Sequence, residues 1–258
     1  MPDSPRRRRL RASTALLVLL PALGAGCGGS PGPETLTVLA TPSLKEVFGE
    51  LGTAYGHVNP KVRLRFEFGA LHEMAGRLSG QGPGDVLVTA DTASMEEAAD
   101  HLAGRPRIIA RSALTIAVAP GNPHRVRGLA DLTRPRLRVV VGAESVPEGR
   151  YTRQVFAKAG LTVRSSAKVI SARAVLSRVR AGQADAGVVF VTDLRPAGIA
   201  VSSVPIPAAQ NVTGAFPAAA VRGRDHEEAA HAFISWLTGP AAQRVFHKHG
   251  FTTPEPDH

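Results

Sequence analysis

The order of apolar and amphipathic segments predicts an α/β fold of mostly parallel sheets with helices on both faces. Two observations carry this. Short apolar runs alternate with stretches of helical period along most of the chain, the pattern of strands joined by crossover helices. The chain also has 258 residues, 43% of them hydrophobic, which is enough core for one large domain or two small lobes.

Each element follows from its local pattern. Residues 36–40 (LTVLA) form a buried strand, and a helix follows over about 43–55. Residues 61–68 (KVRLRFEF) alternate with the period of two expected of a strand. Residues 71–78 are helical, 85–90 (DVLVTA) a strand, and 92–102 a helix. The strand at 114–120 closes on the turn Gly121-Asn122-Pro123. Residues 137–142 lead into a helix over 147–159; 175–180 lie in another helix, and 186–191 (AGVVFV) are a strand. Residues 213–221 are extended, and 225–237 and 240–248 are terminal helices. No internal repeat is visible.

The N-terminus reads as an export signal over residues 1–26. Residues 5–13 (PRRRRLRAS) are a positive region, and 15–23 (ALLVLLPAL) an apolar one too short to span a bilayer. Gly24, Ala25 and Gly26 lead into Cys27, the single cysteine of the chain. That placement is the pattern of a lipoprotein precursor, in which Cys27 becomes the lipidated first mature residue and the protein is held at the outer face of the cell membrane. Cleavage near Gly26 without lipidation is the alternative, leaving a secreted or periplasmic protein. Residues 28–34 (GGSPGPE) read as a flexible tether.

Composition narrows the function further. One cysteine excludes an intramolecular disulfide. The net charge is +10, but five Arg and Asp3 belong to the signal, so 10 − 4 leaves about +6 beyond it. The remaining Arg residues are scattered among acids, there are two Tyr, and no basic stripe interleaves with aromatics. Nucleic acid is therefore not the expected partner. A mild positive field favours collecting anions.

In parallel sheets, ligands bind where strand ends enter helix N-termini, whose free N–H groups suit anions. The loops so placed are 40–43, 69–72, 142–149, 170–173 and 190–193. The sequence around them carries LATPSLKEVFGEL, GPGDVLVTAD, VAPGNP, VGAESVPEGRYTRQVFAKAG, VRAGQADAGVVFVTD and FISWLTGPAAQRVFHKHGF. With these landmarks the chain resembles the molybdate-binding proteins of ABC-type uptake systems, within the type II solute-binding proteins, over nearly its whole length beyond the signal. The resemblance implies a two-lobed periplasmic-binding-protein fold. Residues 35–112 plus 214–258 would form lobe I and 113–213 lobe II, with the ligand between them. It implies a monomer that needs no cofactor, binds molybdate or tungstate through hydroxyls and backbone N–H groups, closes over it, and delivers it to an ABC permease.

The resemblance transfers to the site position by position. The first-loop serine is Ser43, which Ser43-Leu44-Lys45-Glu46 also marks as a helix cap. Where the family carries paired serines, this chain has Leu71 and His72. Leu71 offers only its N–H; His72 donates to an anion if it faces the cleft and is otherwise a surface residue. The third contact is the N–H of Glu148, whose carboxylate is expected in solvent at a helix N-terminus. The fourth is the N–H of Ala172. The fifth, a tyrosine hydroxyl in the family, falls on Phe190 and is lost, with Ser171 or Thr192 as possible replacements.

No enzyme motif competes. Gly80-Gln81-Gly82-Pro83-Gly84 has no following Lys and reads as a turn. The His pairs 226/231 and 247/249 lack metal-site spacing, so no resident metal is expected. Asp85 and Asp91 flank a strand as fold positions. The function expected is therefore capture of a tetrahedral oxyanion rather than catalysis. The alternatives are another anion, or a sensory or interaction lipoprotein of the envelope on the same fold.

Overall fold

In the computed structural model, residues 33–254 are described. The signal (1–26), Cys27 and residues 28–32 lie outside them. The tether reading reached residue 34, but Glu34 already opens β1 (Glu34–Ala40), its N–H donating to the Lys61 carbonyl at 2.9 Å. Leu36 to Ala40 are all buried, as a strand covered on both faces requires. β1 pairs in parallel with β2 (Val62–Phe68) on one side and β3 (Val86–Val88) on the other. The intervening helices are α1 (Lys45–Val58) and α2 (Leu71–Leu78), and α3 (Thr92–Glu97) follows β3.

A second set repeats this plan. β5 (Val139–Gly142) pairs in parallel with β6 (Ser165–Val169) and β7 (Ala186–Phe190). Here α4 (Pro147–Lys158), α5 (Ala172–Arg180) and the short α6 (Val191–Leu194) follow the strands. The same device sits before the inner strand of each set. Asp85 Oδ2 accepts the Thr37 N–H at 2.6 Å, and Asp185 Oδ2 accepts the Arg138 N–H at 2.8 Å. Each carboxylate ties the start of one strand to its parallel neighbour. Burial pushes Asp185 up, but hydrogen bonds and charge from Arg138 outweigh it and hold the carboxyl below its ordinary value.

Long antiparallel strands join the two sets. β4 (Leu102–Val118) runs for 17 residues. Its first part pairs with β9 (Thr213–Val221); its last residues pair with β7 and with β8 (Ser202–Pro205). The sheet order is β2-β1-β3-β9-β4-β7-β5-β6, with β8 against β4. In the β4–β9 ladder Ser112 faces Gly214 and Ala113 faces Thr213. The chain therefore passes from the first strand set to the second along β4 and returns along β9.

Most predicted elements are found within a few residues. The helix expected over 92–102 stops at Glu97, and β4 begins at Leu102, well before the predicted strand at 114. Pro106 hides that first part, because the ladder breaks register between Ala103 and Arg107, with residues 104–107 exposed. β6 and β8 are short, partly exposed and serine-containing, so no apolar run announces them. The terminal helices α7 (Glu227–Leu237) and α8 (Pro240–Lys248) cover the first set. There Tyr55 meets Phe233 edge-on at 4.9 Å between centroids, and Phe48 meets Phe246 at 6.5 Å.

Candidate functional site

The carboxyl ends of the parallel strands face a cavity of about 700 Å³. Its wall is made by the 3-10 turn Pro42–Leu44 before α1 and by the first residues of α2, α4, α5 and α6. First-turn N–H groups have no intrahelical acceptor. Those of Leu71 and His72 on α2, Glu148 on α4, and Ala172 and Arg173 on α5 all belong to residues lining the cavity. Positive helix ends thus converge on one space from both strand sets.

A close backbone approach fixes the α4 end. A Cβ on Gly149 would lie 1.9 Å from the Ala143 carbonyl oxygen, and one on Gly142 would lie 2.6 Å from the Gly149 nitrogen. Glycine at both positions lets the first turn of α4 rest directly on the loop leaving β5.

The structure brings five of the six sequence-derived positions together: Ser43, Leu71, His72, Glu148 and Ala172 all line the cavity. His72 is exposed on its wall. Ser43 does not cap α1, as its sequence context suggested. It lies inside the 3-10 turn, and Leu44 occupies the N-cap position. Its hydroxyl instead acts on Asp193.

Phe190 is the exception. Its ring is fully buried, 5.7 Å from Tyr151 and 5.5 Å from Phe216 between centroids, and it is not part of the cavity wall. The ring fills the space left by Gly214, where a Cβ would come within 2.4 Å of it. Of the two replacement hydroxyls considered, Ser171 accepts the Ala174 N–H as the cap of α5, and Thr192 shares a 3.1 Å hydrogen bond with Ser112. Both line the cavity.

The larger correction concerns Glu148. It is not in solvent: only 6% of the residue is exposed, and it lines the cavity. Burial, then the charges of Asp193 and Asp91, push its carboxyl up to about 7. Asp193, also in the wall, is pushed up by burial to about 6, while the Ser43 hydroxyl and the Phe190 N–H act in the opposite direction. The sequence reading missed Asp193 as a site residue, although the motif VVFVTD contains it.

Arg150 is the other missed residue. One turn into α4, it donates to Asp91 and, at 2.7 Å, to the Ser94 hydroxyl. Asp91 also caps α3 by accepting the Ser94 N–H at 2.9 Å. The Asp91 position is structural, as its place beside the strand suggested, but its charge is matched across the cleft.

The sequence profile of bacterial extracellular solute-binding proteins matches residues 36–252. The chain belongs to this family. Among curated relatives, the molybdate-binding protein ModA of Mycobacterium bovis is 34% identical over 229 residues, covering 88% of each chain. Among solved structures, the sulfate-binding protein SubI of Mycobacterium tuberculosis superposes with a TM-score of 0.75 at 20% identity, over 86% of this chain and 88% of that one. The periplasmic molybdate-binding protein of Azotobacter vinelandii gives 0.67 at 19% identity, over 85% of this chain and all of its own. These structural likenesses establish the periplasmic-binding-protein fold for this solute-binding protein. Among the described residues, no helix is long and apolar enough to cross a membrane.

Proposed function

We propose that this solute-binding protein captures a tetrahedral oxyanion, molybdate or tungstate, in the cleft and delivers it to an ABC permease, without catalysing a reaction on it. The observation that carries the reading is the convergence of first-turn N–H groups from α2, α4 and α5 on one cavity. Many fixed dipoles stabilise a dehydrated anion without a full counter-charge. The 34% identical ModA relative supports the choice of anion. Residues 35–112 with 214–258, and residues 113–213, act as two lobes that hinge where β4 and β9 cross, as a monomer. A lipid on Cys27 holds the protein at the outer face of the membrane.

Calorimetric titration of the chain starting at Gly28, which leaves every described residue in place, tests the anion. Molybdate, tungstate, sulfate and phosphate are titrated in parallel. Tight binding confined to molybdate and tungstate is the expected result. Folded protein that gives no heat with either, at any pH from 6 to 8.5, overturns it. Globomycin sensitivity of processing, or a mass shift at Cys27, tests the anchor separately.

A further inference from the structure

Glu148 presents a problem for any anion in this cleft. Its residue is more than nine-tenths buried and lines the cavity. Its own backbone N–H acts on its carboxylate, and among the described residues no cation pairs with it. The nearest cation does not answer it. Arg150, two residues on, has its guanidinium engaged by Asp91, Ser94 and the Glu144 carbonyl.

The surroundings of Glu148 sharpen the point. Asp193 on α6 and Asp91 before α3 add negative charge, and Arg150 opposes them. Elsewhere on the same wall, α1 contributes Lys45 and Glu46, α2 His72, and α3 Glu97, while α5 contributes Arg173 and Arg180. These longer side chains bring both signs to the wall, while of the buried acids Asp91 pairs with Arg150 and Asp193 accepts the Phe190 N–H at 3.2 Å. A carboxylate about 4 Å from a single charge of like sign, at an effective dielectric near 20, weakens binding by roughly a thousandfold. One proton removes that repulsion. It also turns an acceptor into an O–H donor on a residue of the cavity wall.

We infer that the cleft takes up its oxyanion together with one proton from solvent, held between a ligand oxygen and the Glu148 carboxyl, which makes Glu148 a specificity-determining residue. This rests on the oxyanion reading above. Above neutral pH a ligand without a proton of its own must recruit one, so its affinity falls with rising pH. The same elevated carboxyl that burial creates supplies the neutral form near pH 7.

The test is calorimetry with molybdate on the Gly28-start chain and its Glu148→Gln form, from pH 6 to pH 9. At each pH two buffers of different ionisation heat, neither of them phosphate, are used. The wild type should take up close to one proton at pH 8.5 and lose affinity toward tenfold per pH unit above neutrality. Glu148→Gln should take up none, bind with little dependence on pH, and exceed the wild type at pH 8.5 by tenfold or more. Wild-type affinity that is flat with pH and without proton uptake overturns the inference while leaving oxyanion capture intact. So does a Glu148→Gln protein that keeps the wild-type slope, which would move the proton to Asp193. No heat from either protein at pH 6 overturns the oxyanion reading and takes this inference with it. Absence of wild-type proton uptake overturns the inference however the variant folds.

Discussion

Arg150, in the first turns of α4, donates from Nε to Asp91 Oδ2 at the start of α3, and so joins the two strand sets across the mouth of the cleft. Asp91 is buried and Arg150 is mostly so, with 5% and 19% of their side chains exposed. Arg150→Met should therefore leave a buried carboxylate facing an apolar chain. The expected cost is about 3 kcal/mol, read by urea denaturation as a fall in midpoint with an unchanged slope. Adding Asp91→Asn to that variant should recover much of the loss, since the cost lies in the orphaned charge. A single-variant cost below about 0.5 kcal/mol would mean that the pair behaves like an exposed ion pair.

Gly149 has no room for a methyl group. The obstacle is the Ala143 carbonyl, 1.9 Å from the site of a Cβ, and backbone cannot rotate aside as a side chain can. Gly149→Ala should displace the first turn of α4, at about 3 kcal/mol or more, the upper end of overpacking costs. The Glu148 N–H moves with it, so oxyanion affinity should fall further than stability alone explains. Gly56→Ala is the matched control, because nothing lies within 4 Å of its Cβ position. Equal behaviour of the two variants would contradict the close-packed arrangement.

The same glycine shows what sequence can reveal about this site. VPEGRY is a local pattern, and the proline, glycine and helix start it implies are all set by neighbouring residues. The loop positions of Ser43, Leu71, His72 and Ala172 were legible for the same reason: each follows directly from a strand end entering a helix. The burial of Glu148 was not legible, because acids at helix N-termini usually face water. The charges that raise its carboxyl further, Asp193 and Asp91, lie 45 and 57 positions away in the chain. Phe190 aligned with a binding position, yet its ring turned inward because Gly214, on a distant strand, leaves the space. The first part of β4 was hidden by Pro106, which sits in a break of the ladder register.

Tyr151 ties α4 to the crossing strands. Its hydroxyl oxygen accepts the Ala215 N–H at 3.0 Å, with both residues buried. Tyr151→Phe keeps the ring against Phe190 but strands that N–H without an acceptor. The expected loss is about 1–3 kcal/mol, or roughly 2–12 °C in melting temperature for a chain of this size. Amide exchange at Ala215 should accelerate more than at neighbouring β9 residues. Unchanged stability together with unchanged exchange would show that the bond contributes nothing.

The ligand-free protein should become less stable as pH rises from 5 to 8, contrary to the usual behaviour of paired carboxylates. In the folded chain Glu148 is raised from its ordinary 4.5 to about 7, and Asp193 from 3.8 to about 6. Between the lower and upper values the unfolded chain has released protons that the folded chain still holds. Fewer protons are bound in the unfolded state, so stability falls as pH climbs through this window and levels off above the folded values. Asp185 works in the opposite sense, because its carboxyl is held below its ordinary value. Its contribution is lost only as pH falls into the acid range, outside the window of the raised pair. Histidines paired with carboxylates also change charge between pH 5 and 8, so the difference between wild type and Glu148→Gln isolates the Glu148 contribution. The wild type should lose several degrees over that range, and Glu148→Gln should lose distinctly less. A melting temperature that rises with pH, or an identical slope in the variant, would show that the Glu148 carboxyl is solvated rather than buried in the cleft.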